Sequence, residues 1–251
     1  MHQEEVSPHT KPCKSGGVYF KIIEIKEHMS YQRNDISQVV SSFESKHGAY
    51  ERYASFDYCY NYFHPKNKND ITLDMEKSCL SLGFYLASWG MYRGSSFMLN
   101  KSSKNFEELI EYFAELPPRV WDIDAGDFND ENIECLTEIY GNIKTKLIKG
   151  QNAHLTLVTK IMLGVFGSVP AYDRFFINTF GQKIFKGHCG FTVFNKKSLQ
   201  SLNEFYKAND NIINQIASTS KTIDFTTEEE TSLSYTNSKV IDMYGFTVGL
   251  N

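Results

Sequence analysis

The chain has 251 residues, of which 41% are hydrophobic and 22% are charged, with a net charge of −4. This balance excludes an intrinsically disordered chain, and the length is sufficient to bury a sizeable core. No apolar stretch reaches the roughly 18 residues that a membrane-spanning helix needs, so we expect no membrane span. The polar first residues lack the apolar segment of a secretory signal, and five dispersed cysteines without a CxxC pair favour free thiols in the cytoplasm.

The first half of the chain is predicted to be helical after an extended start. We expect a flexible tail over residues 1–17, a short strand or extended arm over Val18–Ile25, and one helical domain over residues 18–251. Helices are predicted from Asp35 as N-cap to about Lys46, within the aromatic-rich Tyr50–Phe63, and from Asp70 through Tyr92 with apolar Leu73, Leu80 and Phe84.

The second half shows clearer amphipathic spacing. Helices are predicted around Phe106–Phe113, over Ile133–Leu147, from Ser198 as N-cap through Ile216, and over Ser238–Gly249. Glu228–Glu230 is interpreted as a solvated helix start. If the domain consists of two helical lobes around a cleft, we expect the acidic loop Trp121–Asp130 to separate them. The predicted fold class is therefore all-α.

A different pattern occupies Leu155–Phe166, where apolar residues surround the segment, so that this helix should lie in the interior. It contains one lysine, Lys160. Desolvation favours a neutral amine, which is the nucleophilic form. Pro170 ends the helix, and Asp173 is then placed to cap the next one and to reach Lys160. The alternative is structural: Lys160 extends along its methylene stem to the surface, and Asp173 is only an N-cap.

Basic residues are concentrated in the segment from Gly141 to Lys197. This segment holds nine basic residues and a single acid, Asp173. Such asymmetry indicates a surface that faces a polyanion, although a solvated basic face that balances the acidic remainder explains it equally well. The candidates for phosphate contacts are Lys144, Lys146, Lys149, Arg174, Lys183 and Lys186.

A second candidate region is Leu86–Ser96. Trp89 and Arg93 are four residues apart on a predicted helix, so they share a face and can stack. In the functional interpretation they form a pocket wall, with Arg93 holding a phosphate. In the alternative interpretation, this stretch of aromatic and small residues builds tight helix–helix packing.

The stretch Val158–Asp173, which reads Val-Thr-Lys-Ile-Met-Leu-Gly-Val-Phe-Gly-Ser-Val-Pro-Ala-Tyr-Asp, resembles the core of the helix-hairpin-helix DNA glycosylases. It is similar to their 8-oxoguanine glycosylase branch and, more closely, to a bacterial group of glycosylase-like proteins. The Leu-Pro-Gly-Val-Gly hairpin that precedes the lysine in that superfamily is absent here. The resemblance implies that Lys160 matches the Schiff-base lysine and Asp173 the essential aspartate.

The function implied by this resemblance is DNA N-glycosylase activity on a damaged or modified base, with or without lyase activity, in repair or in defence against foreign DNA. Tyr172 and Phe176 are then candidates to sandwich the extruded base. DNA is the expected partner. We expect no cofactor and no metal ion, since the chain has no glycine-rich nucleotide motif and no acid cluster within the basic segment. The alternative is a non-catalytic helical module that binds nucleic acid or protein.

Overall fold

The computed structural model describes residues 33–64, 70–148, 150 and 153–250. Within these ranges the chain forms ten α-helices and one two-stranded sheet, which confirms the all-α prediction. The expected tail and the expected strand at Val18–Ile25 lie outside the described residues. Across the same ranges, no helix is both long enough and apolar enough to cross a bilayer.

The helices follow one another with short connections. In chain order they are α1 (Arg33–Glu44), α2 (Ala54–Phe63), α3 (Asp70–Leu73), α4 (Met75–Ser88), α5 (Glu107–Glu115), α6 (Asp130–Leu147), α7 (Leu155–Phe166), α8 (Arg174–Phe176), α9 (Lys196–Thr219) and α10 (Asn237–Leu250). A π-helical segment, Ile177–Ile184, continues α8. The antiparallel strands β1 (Lys221–Ile223) and β2 (Glu230–Ser234) lie between α9 and α10.

Two helix starts differ from the predictions. The helix α1 begins at Arg33, so Asp35 lies inside it and is not its N-cap. At α9 the N-cap is Asn195, whose side-chain oxygen accepts a hydrogen bond from the N–H of Ser198. In return, the hydroxyl of Ser198, the third residue of the helix, accepts one from the N–H of Asn195. Ser198 is therefore part of a capping box that begins three residues earlier than predicted.

The segment predicted as one helix from Asp70 through Tyr92 forms two helices, α3 and α4. The face of α4 that is buried is opposite to the predicted one. Asp74 interrupts the segment by capping α4 through the N–H of Lys77 at 3.0 Å. Leu80 and Phe84 are 51% and 63% exposed, whereas Leu82 and Tyr85 are buried. The prediction of the inward face was wrong because α4 packs against α2 and α7 through its other side.

Helix α7 lies in the centre of the core, as its composition predicts. All ten residues of Leu157–Phe166 are buried. The helix ends at Gly167, whose φ of +65° is the left-handed conformation that favours glycine, and whose N–H donates to Leu163 O at 2.8 Å. A Cβ at this position would lie 2.8 Å from Thr236 Cγ2, so another side chain would also clash.

The acidic loop Trp121–Asp130 is packed into the same core and does not separate two lobes. Trp121 and Phe128 belong to the single core cluster. Asp124 accepts the backbone N–H groups of Asn237 at 2.7 Å and Ser238 at 2.8 Å, so it caps the start of α10. The loop therefore joins distant parts of the chain.

The segment Glu228–Glu230 forms part of a hairpin, not a helix start. Glu228 has a positive φ of 63° in the turn, and Glu230 begins β2. The hairpin is tied to α2 by the fully buried Asp57, which accepts the N–H of Ile223 at 2.8 Å and the hydroxyl of Tyr235 at 2.9 Å. Because packing on a helix that is distant in the sequence fixes the hairpin, the local pattern of acidic residues wrongly predicted a helix start here.

Candidate active site

The structure brings Lys160 and Asp173 together. Lys160 Nζ lies 3.2 Å from Asp173 Oδ2, and the exposed fractions of the two side chains are 4% and 15%. The ammonium therefore stays in the interior and does not extend to the surface. The carboxylate lies nearer to solvent, at the point where α7 and α8 meet.

The backbone around Asp173 fixes the direction of its carboxylate. Asp173 is the N-cap of α8, and its Oδ1 accepts the N–H groups of Phe175 and Phe176, both at 3.0 Å. The residue before it is held on α7 from both sides: Tyr172 N–H donates to Thr159 Oγ1 and Tyr172 O accepts from Thr156 Oγ1, each at 2.9 Å. These bonds leave Oδ2 directed at Lys160.

An indole ring lies over the ion pair. The centroid of the half-buried Trp89 ring is 4.8 Å from Lys160 Nζ, and the ring stacks on Tyr53 at 5.5 Å. A carboxylate partner and an aromatic face both stabilise an ammonium ion. Lys160 Nζ therefore has both a carboxylate and an aromatic face as partners.

A second pair lies beneath the same indole and escaped the sequence analysis. Lys239 Nζ is 3.2 Å from Asp242 Oδ2, with exposed fractions of 2% and 8% for the two side chains. The lysine Nζ is 5.6 Å from the centroid of Trp89 and 4.4 Å from that of Phe56. A signal was present: Lys239 is followed by Val240, Ile241 and Met243, so it is a lysine in an apolar helix, as Lys160 is.

The two pairs are connected through the backbone. Asp242 Oδ1 accepts the N–H of Ala171 at 3.0 Å, two residues before Asp173. Tyr85 lies close to both carboxylates. Burial, with a smaller contribution from the charges of Asp242 and Asp173, raises the pKa of the Tyr85 phenol well above its usual value. The phenol therefore remains protonated beside the pairs.

Tyr172 and Phe176, expected to sandwich a base, lie in the core. Both are 0% exposed, and their rings stack on each other with centroids 5.4 Å apart. The Tyr172 hydroxyl donates to Ser198 Oγ at 3.2 Å. Neither ring is available to stack on a ligand in this conformation.

Arg93 does not share a helical face with Trp89, because α4 ends at Ser88 and Trp89 is its C-cap. Arg93 is exposed and folds over Gly90, where an added Cβ would lie 2.7 Å from its Nε. The guanidinium that approaches the Trp89 ring is that of Arg52, at 5.4 Å from the centroid. The predicted stacking of Arg93 on Trp89 is therefore wrong, and Arg52 lies over this ring instead.

The predicted phosphate-binding residues lie in two neighbourhoods. Lys144 and Lys146 are exposed near the end of α6, where Lys146 Nζ approaches the Tyr112 ring at 5.4 Å. Lys183 donates to Val248 O at 3.1 Å, beside the end of α10. Arg174 covers the Phe175 ring at 4.8 Å, and Lys186 is exposed. Lys149 lies outside the described residues.

Among the described residues, no three His, Cys, Asp or Glu side chains come together in a way that could hold a metal ion. No protein-family model, curated protein sequence or solved structure matches this chain.

Proposed function

We propose that the chain is a DNA N-glycosylase that releases a damaged or modified base. The observation that supports this most is the preformed Lys160–Asp173 pair, with Nζ and Oδ2 3.2 Å apart and the carboxylate fixed at the start of α8. Breaking an N-glycosidic bond develops positive charge on the sugar. A fixed carboxylate stabilises that charge because it needs no reorganisation during the reaction.

Two routes share Asp173 and differ in the role of Lys160. In the hydrolytic route, Asp173 stabilises the sugar cation and orients a water, whose oxygen bonds to the anomeric carbon as the C–N bond breaks. In the covalent route, Asp173 Oδ2 accepts a proton from the Lys160 ammonium, and the free amine bonds to the anomeric carbon as the C–N bond to the base breaks. A proton then passes from the newly bonded nitrogen to the ring oxygen as the sugar ring opens, which leaves an imine on Lys160. In both routes the departing base takes the electron pair of the C–N bond and the proton held by Asp173, which comes from the water in the hydrolytic route and from Lys160 in the covalent route.

A second candidate function is a non-catalytic helical module that binds nucleic acid or protein. The observation that favours it is the complete set of partners around Lys160, which has both a carboxylate and an aromatic face. The more deeply buried Lys239–Asp242 pair shows that such a pair also occurs within the scaffold of this fold. If the Lys160–Asp173 pair is only structural, a substitution that removes the charge of Asp173 and keeps its shape should leave the activity unchanged in any assay.

The test is base release from single- and double-stranded oligonucleotides that carry an assortment of modified bases, measured as abasic sites. The decisive variant is Asp173→Asn, whose amide oxygen can still accept the N–H groups of Phe175 and Phe176 and so preserve the cap. Wild-type release that Asp173→Asn abolishes supports the proposal, whereas equal release by both proteins contradicts it. Borohydride trapping of an adduct at Lys160 then identifies the covalent route, with Lys160→Met as its control.

A further inference from the structure

A cavity of about 830 Å³ opens beside the first turn of α7. It is lined by four parts of the chain: the loop after α4, the C-terminal half of α6, the start of α7 and the segment before α9. Its lining includes Ser95, Phe97, Tyr140, Lys144, Thr156 and Phe194. Its volume is within the range of about 300–1,000 Å³ that small-molecule sites occupy.

The cavity is connected to the Lys160–Asp173 pair through the first turn of α7, and neither residue of the pair lines it. Thr156 lines it and donates to Tyr172 O at 2.9 Å, directly before Asp173. Thr156 and Lys160 are four residues apart on α7, so they share a face and are separated by about 6 Å along the axis. A ligand in the cavity therefore lies about one helical turn from Lys160.

The charge of the lining favours an anion. Lys144 lines the cavity, and none of the described residues that line it is acidic. The first turn of α7, which also faces the cavity, contains no acidic residue. The positive end of that helix dipole adds to the charge of Lys144. A phosphate group would be attracted to this end of the cavity.

The rest of the lining favours a heterocyclic ring. Phe97, Tyr140 and Phe194 supply aromatic surface, and the rings of Tyr140 and Phe194 are stacked with centroids 4.6 Å apart, which makes that wall rigid. Hydroxyl groups of Ser95 and Thr192 provide hydrogen-bonding partners beside it. Apolar walls with a few polar groups are the usual composition of a site for a ring-bearing ligand.

We propose that this cavity binds a nucleotide, with its phosphate at Lys144 and its heterocycle against the aromatic wall. This inference rests on the proposed function, because it assigns the cavity to one nucleotide of the DNA strand beside Lys160 and Asp173. A free mononucleotide has the same chemistry as a nucleotide unit of a strand. Both are therefore included in the test.

The test measures dissociation constants of the full-length protein for deoxyadenosine monophosphate and for a short single-stranded oligonucleotide. Lys144→Met removes the charge that lines the cavity, and Ser95→Trp places an indole at an exposed lining position. The matched control is Lys207→Met, which removes an equal charge from an exposed position on α9 outside the lining.

We expect Lys144→Met and Ser95→Trp to weaken binding of both ligands at least about fivefold, and Lys207→Met to leave mononucleotide binding unchanged. Lys144→Met should also lower the salt dependence of oligonucleotide binding by about one unit of slope. Binding of the mononucleotide alone would support the cavity but assign it to a free nucleotide. Absence of binding to both ligands, or equal effects of Lys144→Met and Lys207→Met on mononucleotide binding, would overturn the inference.

The two proposals fail in different ways. Nucleotide binding that depends on Lys144, without base release from any substrate, would contradict the glycosylase and leave the cavity assignment standing. Base release that Lys144→Met and Ser95→Trp do not alter would leave the glycosylase standing and contradict the cavity assignment.

Discussion

Two lysine–aspartate pairs lie beneath the Trp89 indole and have the same N–O distance of 3.2 Å. The Lys160–Asp173 pair joins residues 13 apart in two helices, and its carboxylate side chain is 15% exposed. The Lys239–Asp242 pair lies within one turn of α10, and its carboxylate side chain is 8% exposed. Both are flanked by aromatic rings.

The pairs differ in what the carboxylate holds. Asp242 binds Lys239 with one oxygen and the N–H of Ala171 with the other, so it fixes the backbone that leads to Asp173. Asp173 caps a helix beside the partly exposed Trp89 and near a cavity. A lysine–aspartate pair therefore has a structural role where both side chains are buried, as in Lys239–Asp242. It is a candidate for chemistry where the carboxylate is partly exposed, as in Lys160–Asp173.

The largest effect on stability is expected from Asp242→Ala. It leaves the Lys239 ammonium uncompensated in the interior and the Ala171 N–H without its acceptor. Breaking a buried pair by removing one partner costs about 3–5 kcal/mol. Urea unfolding followed by circular dichroism measures the change in the free energy of unfolding.

The control for that prediction keeps the acceptor and changes only the charges. Asp242→Asn alone should be less stable than the double variant Lys239→Met/Asp242→Asn, because the double variant removes both charges while the amide oxygen can still bind Ala171 N–H. If the double variant is no more stable than Asp242→Asn, an uncompensated Lys239 is not the cause of the loss.

A smaller loss is expected from Asp173→Ala, the same truncation at the other pair. It removes the N-cap of α8, which costs about 0.5–2 kcal/mol, and the Asp173 side chain is 15% exposed, so that solvent can replace part of its interaction with Lys160. The same urea titration measures it, and Asp173→Asn should recover most of the loss. A loss as large as that of Asp242→Ala would show that the two pairs are sealed equally.

The smallest effect is expected from Trp89→Phe. The indole N–H has no hydrogen-bond partner among the described residues, so no such bond is lost, and the new ring keeps a weaker aromatic face for the two ammonium groups. We expect a decrease of at most about 1 kcal/mol in the free energy of unfolding. A decrease of the size predicted for Asp242→Ala would mean that the indole, and not the carboxylates, holds the cluster together.

The sequence predicted those features that depend on local patterns. Helix α7 has the predicted bounds, Leu155–Phe166, because an apolar run ends at a glycine and a proline. The lone lysine in that run, the lone acid that follows Pro170 and the resemblance over Val158–Asp173 together led to the prediction that Lys160 and Asp173 meet, and their Nζ and Oδ2 atoms lie 3.2 Å apart. Their role in catalysis stays a prediction.

Features that depend on tertiary packing were not predictable. The exposure of Leu80 and Phe84 is set by which side of α4 meets its neighbours. Tyr172 was taken for a pocket residue, although its burial follows from two hydrogen bonds to α7 that no local pattern reveals. Lys239 and Asp242 were overlooked because a lysine and an aspartate three residues apart are usual on exposed helix surfaces.

The proposed catalysis depends on the Asp173 carboxylate. It is tested by the single-turnover rate of base release by Asp173→Asn, compared with the wild type on the best substrate of the modified-base panel. With the helix cap preserved and the unfolding midpoint unchanged, we expect the rate to fall at least about 100-fold. A folded Asp173→Asn protein that releases the base at the wild-type rate would contradict this dependence.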